Sequence, residues 1–312
     1  MDKLAVIAIG GNSLIKNKGQ VDLKSQLATV KETCRSIAEL VQQGWNVAIT
    51  HGNGPQVGFL IRRAELAVRE LPLIPLEFAV ADTQGAIGYM IQQSLMNEFR
   101  QRGIKRQAVT IVTQVIVDKN DPAFQKPSKP VGSFMTREEA ERHIQEDGWT
   151  VVEDAGRGWR RVVPSPEPRA IVESAAIRDL ITNGYIVICA GGGGIPVIEK
   201  DGQLEGIAAV IDKDYASALL ATEMKASMLV ISTGVSKVAI NFGQPDQKEL
   251  DLLTVAEAEA YLEAGHFPPG NMGPKITAII RYLKNNGGQG LITSPEAIVA
   301  AVAGKAGTRI VP

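Results

Sequence analysis

Residues 4–9 form an unbroken apolar run, Leu-Ala-Val-Ile-Ala-Ile, that stops on Gly10-Gly11. A strand with one face in water alternates polar and apolar residues, whereas one that is apolar throughout needs cover on both faces. The pattern recurs. Residues 46–50 end on His51-Gly52-Asn53-Gly54-Pro55, and residues 186–189 run into Gly191-Gly192-Gly193-Gly194. Between such runs the apolar residues fall at helical spacing, over 23–41 (closed by Gly44), 56–68 and 78–102. Residues 107–117, rich in Val, Ile and Thr, predict a third strand.

Alternation returns later in the chain, with helices over 174–183, 213–223, 273–285 and 295–303 and strands over 228–233 and 309–311. Lys200-Asp201-Gly202-Gln203 is a hairpin turn signal, and Thr254 with Glu257 is a capping box that opens a further helix. Strands alternating with helices give an α/β class with a mainly parallel sheet covered on both faces. Residues 118–168 break the pattern, with mixed charge, poor periodicity, and two of the three tryptophans. Two aromatic-flanked strand-like pieces (149–153 and 159–163) mark this stretch as an inserted, ordered subdomain.

The chain has 312 residues, 45% hydrophobic and 21% charged, enough to bury a core without disulfides or a structural metal. Cys34 and Cys189 are far apart and lack metal-ligand spacing, as expected of small buried residues in a reducing compartment. A net charge of -1 offers no general field for nucleic acid or anionic lipid. The apolar run at the start is too short for a signal-peptide core, and no stretch approaches the roughly 20 residues of a membrane span. No nucleic-acid or membrane partner is expected, and a cytoplasmic location is.

Three glycine-dense segments, Gly10-Gly11-Asn12-Ser13, Gly52-Asn53-Gly54 and Gly191 to Gly194, directly follow predicted strands. In open α/β sheets, ligands bind beyond the carboxyl ends of the strands, and glycine lets backbone amides approach an anion. Each segment alone is equally well explained as a tight turn; three at equivalent strand ends are harder to explain so. None is a dinucleotide fingerprint or a P-loop. Lys213, in Asp212-Lys213-Asp214, and Lys275, in Gly273-Pro274-Lys275, sit in predicted first turns of helices. The helix end is already positive there, so lysine fits if an anion occupies the spot. Asp214 either serves the helix end or pairs with neighbouring lysines, and Lys129 lies in a proline-framed loop, Pro127-Ser128-Lys129-Pro130. Of the three histidines, only His51 sits at a strand end, where a structural hydrogen bond is expected; His143 reads as solvated and His266 as loop. Metalloprotease and serine-hydrolase motifs are missing.

With these residues the chain resembles the carbamate kinases of the amino acid kinase superfamily. The resemblance rests on Ala8-Ile-Gly-Gly-Asn-Ser-Leu14, Thr50-His-Gly-Asn-Gly-Pro-Gln-Val-Gly58, Pro127-Ser-Lys-Pro-Val-Gly132 and Arg160-Arg-Val-Val-Pro-Ser-Pro166. It continues through Ala190-Gly-Gly-Gly-Gly-Ile-Pro-Val197, Val210-Ile-Asp-Lys-Asp214 and Met272-Gly-Pro-Lys275, with Asn271 where the family pattern has serine. It implies one three-layer α/β/α sandwich over 1–312 with a central, mainly parallel sheet and a small protruding subdomain at about 118–168. A half at about 1–185 would bind carbamate or carbamoyl phosphate, and a half at about 186–312 the nucleotide. It also implies a homodimer that uses Mg²⁺ with ATP or ADP.

By resemblance, Lys129, Lys213, Asp214 and Lys275 are catalytic, with Asp214 orienting the lysines. Gly10, Gly11, Asn12, Gly52, Asn53 and Gly54 line the substrate pocket, the amides of Gly10 and Gly11 meeting the phosphoryl group. Lys213, Asp214, Met272, Gly273 and Lys275 bind the nucleotide. Carbamate carries its own negative oxygen, so no general base is needed. Lys129 sits on the inserted segment, which is therefore expected to lean over the pocket and to quieten when substrate binds. Two alternatives remain: a sister kinase acting on a carboxylate such as acetylglutamate, and a non-catalytic sensor of carbamoyl phosphate or nucleotide.

Overall fold

The structure, a computed structural model, describes residues 3–11, 14, 22–153, 156, 158–268 and 270–312. Strand β1 (Leu4–Ile9) is buried at every position. Helix α1 (Leu23–Gln42) starts at Asp22, whose carboxylate accepts the Ser25 amide hydrogen, and the chain leaves it through Gly44 at φ +88°. Then follow β2 (Asn46–His51), α2 (Gly54–Leu66) and α3 (Leu76–Arg102).

The strand expected over 107–117 is two strands in different sheets, β3 (Ala108–Thr110) and β4 (Gln114–Val117). The break has a physical cause. Buried Gln84, from α3, accepts the Thr113 amide hydrogen at 2.8 Å and donates to the Thr113 carbonyl at 3.1 Å. A side chain thus replaces the neighbouring strand, and the apolar run shows no sign of it.

Residues 118–168 contain β5 (Lys129–Met135), α4 (Arg137–Asp147), β6 (Thr150–Glu153) and β7 (Trp159–Val163), the strands forming a separate antiparallel sheet in the order β5-β7-β6. His143, expected to be solvated, instead stacks on Trp149 at 4.1 Å and lies 2.5 Å from an Asp147 carboxylate oxygen. Next come β8 (Pro168–Ile171), α5 (Ser174–Thr182), β9 (Ile186–Ile188), β10 (Ile195–Lys200) and β11 (Gln203–Gly206). The predicted hairpin turn joins β10 to β11, with positive φ at both Asp201 and Gly202.

The chain finishes with α6 (Lys213–Glu223), β12 (Met228–Ser232), the hairpin β13 (Val238–Ile240) and β14 (Lys248–Leu250), and β15 (Leu252–Thr254). Helix α7 (Val255–Glu263) opens on the capping box formed by Thr254 and Glu257. Then come α8 (Met272–Asn286), β16 (Gln289–Thr293), α9 (Ile298–Val302) and β17 (Thr308–Val311).

Among the described residues the main sheet runs β15-β17-β16-β12-β1-β2-β9-β3 and is parallel except where β16 meets β17. Central β1 explains the layering. Leu4, Val6 and Ala8 join one core with residues of α6 and α8, such as Leu220, Ile276 and Ile279. Ala5, Ile7 and Ile9 join the other with Cys34, Ile37, Ile87 and Ile91 of α1 and α3. Two cores on opposite faces of one sheet make the expected three-layer sandwich. Among the described residues, no helix is long and apolar enough to cross a membrane.

A third cluster packs Val57, Ile61, Leu76, Ala79 and Val80 against Val131 and Val163. It roots β5 and β7 on α2 and α3. Lys129 pairs with Val163 at that root, and the register breaks only beyond Val131, where Gly132 has φ +75°. The backbone of Lys129 therefore lies where the segment packs on α2 and α3, ahead of the irregular stretch of β5.

Gly88, inside α3, lets this helix press on β3: a Cβ there would lie 2.3 Å from Thr110 Cγ2. Alanine improves helix propensity by about 1 kcal/mol, but overpacking costs roughly 1–3 kcal/mol. The clash should win, so that Gly88→Ala lowers unfolding stability in urea titration. Adding Thr110→Ser, which removes Cγ2, should restore part of the loss. A stabilised single variant would refute this account of the contact.

Candidate functional site

The glycine-dense segments come together because β1, β2 and β9 are adjacent and parallel, so their carboxyl ends share one rim of the sheet. The Gly52 N–H donates to the Ile9 carbonyl at 2.9 Å. Gly192 faces Asn53 so closely that a Cβ would lie 2.1 Å from its amide nitrogen. Asn53, buried, donates in turn to the Thr83 hydroxyl at 2.8 Å. Asn12 and Ser13 of the first segment lie outside the described residues.

Beyond this rim lies a cavity of about 220 Å³. Gly52, Asn53, Gly54 and Gly192 form one wall; Lys129, Asp212, Lys213, Asp214 and Lys275 supply its charge. Three helices begin here. The starts of α2 and α8 have no side-chain cap, while Asp212 caps α6 by accepting the Asp214 amide hydrogen at 2.9 Å. Uncapped amides and the positive helix end favour an anion. A hydrogen bond of 2.6 Å between Thr50 on β2 and Ser217 on α6 helps fix the α6 start against the rim.

Asp214 is the centre of the charge cluster. One of its oxygens accepts from Lys213 and the other from Lys275 at 3.2 Å. Of the two sequence readings, pairing with lysines is the one the structure adopts, since the cap belongs to Asp212. Asp214 is only 3% exposed. Burial works to raise its pKa, but the Lys213 and Lys275 ammonium groups outweigh this and hold the carboxyl below its ordinary range. Lys275 also donates to the Asn271 carbonyl at 3.1 Å. Lys129, from β5, pairs with Asp212 at 2.6 Å.

Gly10 departs from expectation. Its N–H donates to the Ser232 carbonyl at 3.1 Å, and a Cβ would meet that oxygen at 2.7 Å. The missing Cβ thus permits the close approach of the chain after β1 to the end of β12, and the amide is engaged there. The Gly11 nitrogen lies on the Gly52 side, 3.7 Å from where a Gly52 Cβ would sit. His51 is buried, with Nδ1 3.0 Å from the Gly52 carbonyl; burial, aided by nearby Lys213, lowers its pKa to about 4. It is a neutral packing group at physiological pH.

A second cavity, about 160 Å³, lies at the α8 start, lined by Val235, Phe242, Phe267, Asn271 and Met272 among others. Gly273 lets α8 begin there, since a Cβ would lie 3.2 Å from the Pro268 carbonyl oxygen. Sequence reasoning found Met272 and Gly273 but missed Val235, Phe242 and Phe267, which lie in loops without periodicity. It also passed over Asp212, although an aspartate just before a predicted helix is a cap signal. A cationic cavity beside an apolar one suits a ligand with a polyphosphate and a flat apolar end.

The amino acid kinase family model matches residues 3–294. The carbamate kinase of Thermococcus kodakarensis is 50% identical over 99% of each chain. The carbamate kinase-like protein YahI of Escherichia coli is also 50% identical, over 100% of this chain and 99% of its own. The solved carbamate kinase of Giardia lamblia bound to AMP-PNP superposes with a TM-score of 0.94 at 41% identity, covering 99% of this chain and 98% of that one.

Asp214→Asn leaves two largely buried ammonium groups without their shared carboxylate, which should cost roughly 3 kcal/mol of unfolding stability at pH 7. Because the folded carboxyl is held below its ordinary value of 3.8, its contribution is fully present above that value and is lost as pH falls through the folded one. The stability gap between wild type and variant should therefore narrow only below about pH 4. Urea titrations at pH 7 and pH 3 check this; a gap unchanged at pH 3 would contradict it.

Proposed function

The chain belongs to the amino acid kinase family, and we propose that it transfers a phosphoryl group between carbamoyl phosphate and ADP, giving carbamate and ATP. The carrying observation is the convergence of Lys129, Lys213 and Lys275 on one cavity, beside the uncapped starts of α2 and α8. Full-length relatives named carbamate kinases support the choice of substrate and lend none to the acetylglutamate alternative. The lysines bear on activity too. Three ammonium groups on one cavity suit the neutralisation of charge that shifts during transfer.

Phosphoryl transfer asks for alignment and neutralisation of charge on the moving group. In this reading Lys213 and Lys275, fixed by Asp214, meet the phosphates from the nucleotide side. Lys129, held by Asp212, meets the transferring group. Gly11, Gly52, Asn53 and Gly54 surround the carbamate end, and Asn12 belongs with them by sequence. The apolar cavity of Val235, Phe242, Phe267 and Met272 takes the base. Carbamate is already anionic, and neutral His51 is not called on as a base. The mixed anhydride is the better donor, so ATP formation is the favoured direction.

Among the described residues, no cluster of His, Cys, Asp or Glu is suited to hold a metal ion. Asp212 and Asp214 are engaged by lysines, a donor set that fits a magnesium ion carried in on nucleotide phosphates rather than held by a protein cage. When bound, the ion would neutralise phosphate charge. Free, buried Cys34 and Cys189 accord with a cytoplasmic location. A homodimer is supported by large apolar residues left exposed on and near α3, including Leu71, Phe78, Tyr89 and Val112.

ATP formation from purified protein, carbamoyl phosphate, ADP and Mg²⁺ tests the reading directly. Lys213→Ala and Lys275→Ala should each reduce kcat by about 30- to 1,000-fold, or roughly 2–4 kcal/mol, with circular dichroism unchanged. Near wild-type turnover in both variants would overturn this placement of the active site.

A further inference from the structure

Asp212 uses its two carboxylate oxygens in different directions. Oδ1 accepts the Asp214 amide hydrogen at 2.9 Å and so caps α6. Oδ2 accepts the Lys129 ammonium at 2.6 Å. The cap fixes the carboxylate itself, because its position is tied to the α6 backbone. The ammonium it holds is thereby fixed relative to Lys213 and Asp214, the next two residues of the same helix. Lys129 needs such a tether. Its side chain is 36% exposed, against 15% for Asp212 and 14% for both Lys213 and Lys275, and a lysine stem has four rotatable carbons.

Charge makes a second argument. Lys129, Lys213 and Lys275 against Asp212 and Asp214 leave one net positive charge on the cavity. Without the Asp212 charge there would be two, one of them on an untethered side chain. Such an ammonium binds any phosphate, whatever its pose. Binding energy spent equally on productive and unproductive poses does not accelerate transfer.

We propose that Asp212 is a positioning residue that holds the Lys129 ammonium at one point of the cavity wall and restrains it from capturing phosphate unproductively. The proposal rests on the phosphoryl-transfer reading for its kinetic consequences, but not for its effect on anion binding. Asparagine caps a helix as well as aspartate does, so Asp212→Asn removes the charge and keeps the cap. It should lower kcat tenfold or more and leave KM for carbamoyl phosphate unchanged or reduced. A residue with a capping role alone would not produce that split.

The test uses full-length wild type, Asp212→Asn, Lys129→Ala and the double variant. Thermal melting verifies folding, and Asp212→Ser serves as a second capped variant should the asparagine form fold poorly. The loss of kcat on Asp212→Asn should disappear in the Lys129→Ala background. Calorimetric titration with inorganic phosphate, which needs no reaction, should show severalfold tighter binding to Asp212→Asn than to wild type. Wild-type kcat in Asp212→Asn, an equal loss in the Lys129→Ala background, or phosphate binding that is unchanged or weaker would each overturn the proposal. If the wild type forms no ATP, the proposed reaction fails, while the phosphate titration still decides for or against Asp212.

Discussion

Three ammonium groups facing one cavity repel one another, and two like charges 4 Å apart at an effective dielectric constant near 20 do so by about 4 kcal/mol. The site exists in folded form because two carboxylates divide these charges between them. Asp214 takes Lys213 and Lys275, and Asp212 takes Lys129. A buried carboxylate with one partner is poorly compensated; Asp214 with two is held firmly in its ionised form. The result is a pocket that is pre-assembled, cationic and stable before any anion arrives.

Bringing these charges together is the work of the sheet. Parallel neighbours β1, β2 and β9 end on one rim, so the glycine-dense loops after them meet without a long-range search. The glycines then serve different ends. Gly10 and Gly192 are forced by close approach to Ser232 and Asn53, whereas the Gly52 and Gly54 backbones border the cavity itself. Helices α2, α6 and α8 all begin at that rim and add the partial positive charge of their first turns. One device is used twice: a strand end gives position, and a helix start gives charge.

The segment with β5, β6 and β7 contributes Lys129 from its root rather than from a swinging tip. Val131 and Val163 are buried against α2 and α3, so the backbone of Lys129 is anchored where the segment meets the main body of the fold. His51 follows the same logic. Burial lowers its pKa to about 4, which suits packing beside Gly191 and leaves the cavity chemistry to lysines. A site of this design stabilises charge and orients reactants, and it does little proton transfer.

The sequence by itself determined the α/β class, because apolar strands ending on glycine admit few other arrangements. It also placed most of the helices, the apolar strands β1, β2, β9 and β12, the hairpin turn at Asp201-Gly202 and the lysines at helix starts, since caps, turns and periodicity are local; strands β5, β8 and β13 to β16 are not marked by it. It marked residues 118–168 as an ordered insertion from texture alone. Only the tertiary structure decided the split of β3 from β4, because Gln84 reaches Thr113 from 29 residues away. The same holds for the engaged amide of Gly10, the stacking of His143, and the apolar wall at Phe242 and Phe267. Asp214 was ambiguous between cap and ion pair until Lys275, 61 residues later, was brought beside it. Local chemistry is written in neighbouring residues; which distant groups share a hydrogen bond or a charge is settled only when the chain closes on itself.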